Sequence, residues 1–233
     1  MYAVANYKMN GDKNFFISQV QELNKIDTKD TKIVLCPPFI YLPFFEVRKG
    51  ISLGAQDVAN AVKGRSTGQV SATMLKEFQV EYAIIGHSER RANGETNSQI
   101  VDKVKCALDL GITPIVCVGE TNKNSGDEEI FVQVESVLKN VDNSHKIIFA
   151  YEPVWAIGSG DIPTTEDVKK VVDSIRTKSK EFAFDIAVLY GGSVDEKNFK
   201  TFSRAGVDGF LLGGVTLKIN KFIELIKGIE NEQ

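Results

Sequence analysis

Glu152 follows the apolar run Ile147-Ile148-Phe149-Ala150 by one residue. A carboxylate at the end of a buried run either finds a partner or has its charged form penalised, and the second case makes a general base. His87 follows Tyr82-Ala83-Ile84-Ile85 and precedes Ser88-Glu89, a helix start, where backbone amides disfavour an imidazolium. A neutral ring there is a hydrogen-bond donor. The other histidine, His145, precedes a run instead of following one and reads as plain solvation or packing. Asn6 and Lys8 follow the first run, Tyr2-Ala3-Val4-Ala5; taken singly, each reads equally well as a turn residue or a solvated charge.

Three glycine clusters follow the last three runs: Gly158-Ser159-Gly160, Gly191-Gly192-Ser193 and Gly213-Gly214. Any one of them is a turn. At neighbouring strand ends they present unhindered N–H groups to one anion, and Ser193 adds a hydroxyl. Between Glu152 and the first cluster runs Pro153-Val154-Trp155-Ala156-Ile157-Gly158-Ser159-Gly160, which carries the only tryptophan. A loop that closes over a ligand and excludes water needs such an apolar face.

These residues need a scaffold that brings strand ends together. Further apolar runs stand at 32–36, 51–55, 114–118, 186–190 and 209–212. Unbroken runs of this length fit strands buried on both faces of a parallel sheet. Helical spacing lies between them, as in Ile100, Val104, Ala107, Leu108 and in Val168, Val171, Val172, Ile175. Thr164 caps the start of the second of these helices, and Gly111 supplies a left-handed cap after the first. Strands alternating with helices predict βαβ units, and eight of them across residues 1–233 predict one (β/α)8 barrel domain. In that architecture the site lies at the C-terminal ends of the strands, with a phosphate position after strands 7 and 8.

Composition narrows the remaining choices. The formal net charge is −3, which argues against a nucleic-acid partner. The longest uncharged stretch, residues 33–45, contains three prolines and is too short for a membrane span. Cys36, Cys106 and Cys117 are odd in number and widely spaced, so reduced thiols and a cytoplasmic setting are expected. The chain shows no HExxH, no Cys/His cluster at metal spacing, no GxGxxG and no Walker A motif. An isomerase, a Schiff-base aldolase using Lys8 and a non-catalytic barrel all remain open on the residues alone.

Several motifs together resemble the triosephosphate isomerase family. They are Asn6-Tyr7-Lys8-Met9-Asn10-Gly11, Gly86-His87-Ser88-Glu89-Arg90-Arg91, residues 150–158, Tyr190-Gly191-Gly192-Ser193-Val194 and residues 207–214. The resemblance implies cofactor-free interconversion of dihydroxyacetone phosphate and D-glyceraldehyde 3-phosphate, in glycolysis and gluconeogenesis. It makes Glu152 the base, His87 the electrophile, and Asn6 and Lys8 substrate contacts. It also makes Gly158, Ser193, Gly213 and Gly214 phosphate donors, and places Thr67 in a loop reaching a partner subunit of a homodimer. The chain departs from the family pattern at Tyr7 for Trp, Gln69 for Glu, Ser159 for Thr, Val215-Thr216 for Ala-Ser and Pro163 for Ala. Gln69 removes a carboxylate that would pair with Arg90. Pro163 removes an N–H that the tyrosine matching Tyr190 accepts in the family's closed lid.

Overall fold

The computed structural model describes residues 1–46, 50–123, 125–156 and 161–232. Eight parallel strands close into a barrel in sequence order. They are β1 (Tyr2–Asn6), β2 (Lys32–Cys36), β3 (Ile51–Ala55), β4 (Tyr82–Ile85), β5 (Thr113–Val118), β6 (Ile148–Tyr151), β7 (Ala187–Tyr190) and β8 (Gly209–Leu212). Closure comes from β1, which pairs with β2 from Tyr2↔Lys32 to Asn6↔Cys36 and with β8 from Tyr2↔Gly209 to Ala5↔Leu212.

Alternation along the strands splits the core in two. Val4, Val34, Cys36, Ile84, Ile115, Cys117, Ile148, Ala150, Leu189 and Leu211 fill the barrel interior. Their neighbours point outward and pack against the helices, as do Ala3, Ile33, Leu35, Ile85, Val116 and Phe149. Each strand is therefore apolar on both faces, which is why the runs are unbroken in the sequence. Gly54 is required by this interior: a Cβ on it would lie 2.4 Å from the Cys36 sulfur.

The helices are α1 (Lys13–Leu23), α2 (Ala72–Glu77), α3 (Ser88–Ala92), α4 (Asn97–Asp109), α5 (Glu128–Leu138), α6 (Thr165–Glu181), α7 (Phe199–Ser203) and α8 (Ile219–Glu230). Thr164 caps α6 reciprocally with Asp167, and Val168, Val171, Val172 and Ile175 form its buried stripe. Gly111, at φ +67°, follows α4 as expected. The connection after β2 departs from the regular alternation. Among the described residues it holds only a 3-10 helix, Phe39–Phe44, entered through Pro37-Pro38 and containing Pro43. Proline cannot donate to an α-helical ladder, so the chain turns more tightly there. No helix among the described residues is long and apolar enough to cross a membrane.

Candidate active site

The ends of the strands meet around a cavity of about 620 Å³ whose lining includes Asn6, Lys8, His87, Glu152, Ser193, Gly213 and Gly214. The left-handed turn at Gly86, φ +71°, swings the chain from β4 into α3. A Cβ at Gly86 would lie 2.8 Å from the Ile100 side chain, so position and conformation both demand glycine. His87 thereby becomes the cap of α3, its Nδ1 accepting the Glu89 N–H at 3.2 Å. A ring that accepts at Nδ1 carries its proton on Nε2.

That Nε2 stands 3.1 Å from Glu152 Oε1. The other carboxylate oxygen accepts the Ser88 N–H at 3.1 Å. Both groups are buried, so the carboxylate rests on two donors at the top of the barrel. The end of β6 reaches this point only because position 119 is glycine: a Cβ there would lie 1.7 Å from the Glu152 carbonyl oxygen. Beneath the carboxylate, burial pushes the Cys117 thiol well above its ordinary pKa, with the charge of Glu152 adding to the effect.

The facing wall of the cavity comes from the end of β1 and the residues just after it. Lys8 holds a left-handed backbone at φ +50°, uncommon for a residue with a side chain. Three bonds fix it there. Asn6 Oδ1 accepts the Lys8 N–H at 3.0 Å, and Gln56 Nε2 donates to the Lys8 carbonyl at 3.0 Å and to that of Cys36 at 2.9 Å. Lys8 Nζ then reaches Glu89 Oε1 at 2.7 Å. Burial opposes the charge of Glu89, but the hydrogen bond and charge of Lys8 outweigh it and hold the carboxyl below its usual pKa.

The sequence matches the family model described as "Triosephosphate isomerase" over residues 1–229. The chain belongs to the triosephosphate isomerase family. Curated relatives called triosephosphate isomerase include one from Hydrogenovibrio crunogenus, 40% identical over 97% of this chain and 96% of its own length. One from Ralstonia nicotianae is 39% identical over 95% and 96%, and one from Candida albicans 40% identical over 95% of each chain.

The glycine clusters divide between two tasks. Among the described residues, the amides of Ser193, Gly213 and Gly214 meet no backbone carbonyl. Gly191, however, donates its N–H to the Tyr151 carbonyl at 2.8 Å. A Cβ on Gly191 would press on Glu152 Cγ at 2.9 Å, and one on Gly192 would lie 2.1 Å from the Tyr190 hydroxyl. Those two positions require glycine for room.

Of the loop after Glu152, Pro153, Val154, Trp155 and Ala156 are described; Ile157, Gly158, Ser159 and Gly160 lie outside the described residues. Trp155 Nε1 donates to Glu120 Oε1 at 2.6 Å, and the Tyr151 hydroxyl donates to the same oxygen at 2.9 Å. Pro163 is buried and lines the cavity with Tyr190. Thr67 lies in an exposed stretch, 62–69, away from these contacts within the chain. Arg90 has an in-chain partner, Asp57, at 2.9 Å. His145 is exposed.

Sequence reasoning passed over Gln56, Glu89, Ser88 and Glu120. Gln56 and Glu120 directly follow β3 or stand two residues beyond β5, so reading every strand end without regard to residue type finds both. Glu89 and Ser88 do stand at the end of β4, but nothing local points to their partners, 81 and 64 residues away.

Proposed function

We propose that this chain, acting as one barrel domain over residues 1–233, interconverts dihydroxyacetone phosphate and D-glyceraldehyde 3-phosphate without a cofactor. The observation that carries the reading is the contact of His87 Nε2 and Glu152 Oε1 at 3.1 Å in the same cavity as Lys8. The reaction removes a proton from a carbon beside a carbonyl and returns it to the adjacent carbon. Glu152 takes that proton, and the His87 Nε2–H donates to the carbonyl oxygen as it becomes an enediolate oxygen. In the geometry described, these two groups satisfy each other. A rotation of the Glu152 side chain toward the substrate carbon therefore frees both at once, the carboxylate for the carbon and the imidazole N–H for the oxygen.

Lys8 supplies positive charge between the enediolate and the phosphate, and Asn6 keeps the Lys8 backbone in its strained conformation. Ser193, Gly213 and Gly214 bind the phosphate by their N–H groups, joined by Gly158 from the lid. Residues 153–160 close over the substrate and keep water from the enediolate phosphate. The active form is a homodimer in which the loop of Thr67 packs on the partner subunit near Lys8 and His87. The exposure of Met9, Ile40 and Met74 (96%, 73% and 53%) supports an apolar interface. A cytoplasmic location fits three cysteines that are all free.

A coupled assay on dihydroxyacetone phosphate, with the natural chain and Glu152→Gln, tests this reading. A positioned base contributes about 10²–10⁴-fold, so the variant's turnover falls by about that factor. Turnover within about tenfold of the natural chain removes Glu152 from the role of base.

A further inference from the structure

The two arms proposed above to hold the phosphate leave the sheet from strands that are only briefly joined. The β7–β8 ladder comprises two residue pairs, Leu189↔Gly209 and Tyr190↔Phe210, against five for β1–β2 and four for β6–β7. Beyond Tyr190 and Leu212 nothing in the sheet sets the distance between Ser193 and Gly213-Gly214. Farther from the cavity, Phe199 of α7 packs beside Gly228 of α8 and Lys200 pairs with Glu232; beside the cavity, a side-chain pair among the described residues spans the gap. Glu196, in the segment from β7 to α7, is ion-paired through Oε1 with Lys221 Nζ in the first turn of α8. The Glu196 side chain is 7% exposed, whereas that of Lys221 is 43% exposed.

Each end of this pair is tied to its arm. The Asn198 side chain donates to the Ser193 carbonyl at 2.9 Å and accepts the Asp195 N–H at 2.9 Å, so Ser193–Asn198 moves as one turn. On the other side, the 3-10 helix Gly214–Leu217 runs directly into α8 through Lys218, and Thr216 Oγ1 donates to the Gly213 carbonyl at 2.7 Å. Glu196 and Lys221 both line the cavity. Glu196 Oε2 is buried without a hydrogen-bond partner among the described residues. A carboxylate is a poor neighbour for a phosphate dianion unless a cation is fixed on it.

We infer that Glu196 and Lys221 form a strap across the two phosphate arms, setting their separation and cancelling the charge of a carboxylate that lines the cavity. They are positioning residues, and the inference rests on the functional reading above. The pair has two separable effects, geometry and charge, and substitutions tell them apart. If charge alone mattered, Glu196→Gln would tighten phosphate binding and Lys221→Met would weaken it. The strap requires both to weaken it, and requires the exchanged pair Glu196→Lys with Lys221→Glu to recover much of the loss.

The test measures binding of inorganic phosphate by calorimetry and, in parallel, KM and kcat for dihydroxyacetone phosphate. Both single variants are expected to weaken phosphate and raise KM by about three- to fivefold, the scale of a partly buried ion pair, with a smaller change in kcat. The exchanged pair is expected to return to within about twofold. Unchanged phosphate affinity in both folded single variants overturns the inference. So does opposite movement of the two, or an exchanged pair no better than the worse single variant. A shift in melting temperature with phosphate affinity and KM unmoved assigns the pair a merely structural role and also overturns it. The calorimetric arm needs no turnover, so failure of the isomerase reading shows as an inactive natural chain, while failure of the strap shows in phosphate affinity.

Discussion

Lys103 is a buried cation whose removal has a calculable cost. Its ammonium reaches both oxygens of Asp57, at 2.6 and 2.8 Å, and also Glu95 Oε1. The side chains of Lys103 and Glu95 are 6% and 7% exposed. Arg90, half exposed, is the other cation, bound to Asp57 at 2.9 Å and 4.0 Å from Glu95. The four charges cancel. Lys103→Met keeps the stem's volume but leaves Glu95 with only the distant Arg90, and its Oε2 already lacks a partner among the described residues. Breaking a buried pair from one side costs about 3–5 kcal/mol. Because Arg90 still neutralises Asp57, the lower end applies, about 3 kcal/mol, or about 6–12 °C in melting temperature for a chain this size. Adding Glu95→Gln removes the orphaned charge, so the double variant should be more stable than Lys103→Met by about 1 kcal/mol or more. Urea unfolding at one fixed protein concentration measures both, since self-association would otherwise shift the midpoint. A Lys103→Met midpoint within about 1 kcal/mol of the natural chain, or a double variant less stable than the single, refutes the reasoning.

Three further outcomes follow from single contacts. The Tyr7 hydroxyl is fully buried with no partner among the described residues, so Tyr7→Phe should leave stability unchanged or raise it by up to about 1 kcal/mol; a loss of stability by calorimetry would reveal a partner. Burial opposes the charge of Glu230, but the Thr31 side chain and the N–H groups of Lys29, Asp30 and Thr31 outweigh it and hold its pKa at about 2, down from 4.5. A depressed folded pKa gives stability that is present above pH 4.5 and lost as the pH falls toward 2. Glu230→Gln should therefore be less stable at pH 7, with the gap closing below pH 4.5 in urea midpoints. Glu120→Gln weakens two charge-assisted bonds, from Trp155 and Tyr151, and should lower kcat/KM about tenfold while shifting the fluorescence of the only tryptophan.

All eight strands were legible because each is apolar on both faces, and the strand-end rule then placed Asn6, Lys8, His87 and Glu152 around one cavity. The caps at Thr164 and Gly111 were legible for the same local reason. What the sequence concealed is non-local. Nothing near Lys8 announces that Glu89 will meet its ammonium, and nothing near Trp155 announces Glu120. Gly191 and Gly192 have a further reason to be glycine that the sequence did not show, the bulk of Glu152 and Tyr190 beside them. The prolines after β2 were visible, but their consequence, a 3-10 turn in place of a helix, depends on how the chain packs against α1. Nothing near Arg90 announces Asp57 either, which pairs with it from the same chain.

Proton exchange with solvent tests the central claim most directly. Dihydroxyacetone phosphate incubated with the enzyme in D2O and followed by proton NMR reports abstraction of the carbon-bound proton itself, independent of any coupling enzyme. With Glu152 as the base and His87 Nε2–H as the donor, the natural chain exchanges rapidly and Glu152→Gln slows exchange by about 10²–10⁴-fold, although inorganic phosphate binds both equally. Deuterium entering the substrate at the natural rate in folded Glu152→Gln would mean that another group removes the proton, and the account of this site would fail.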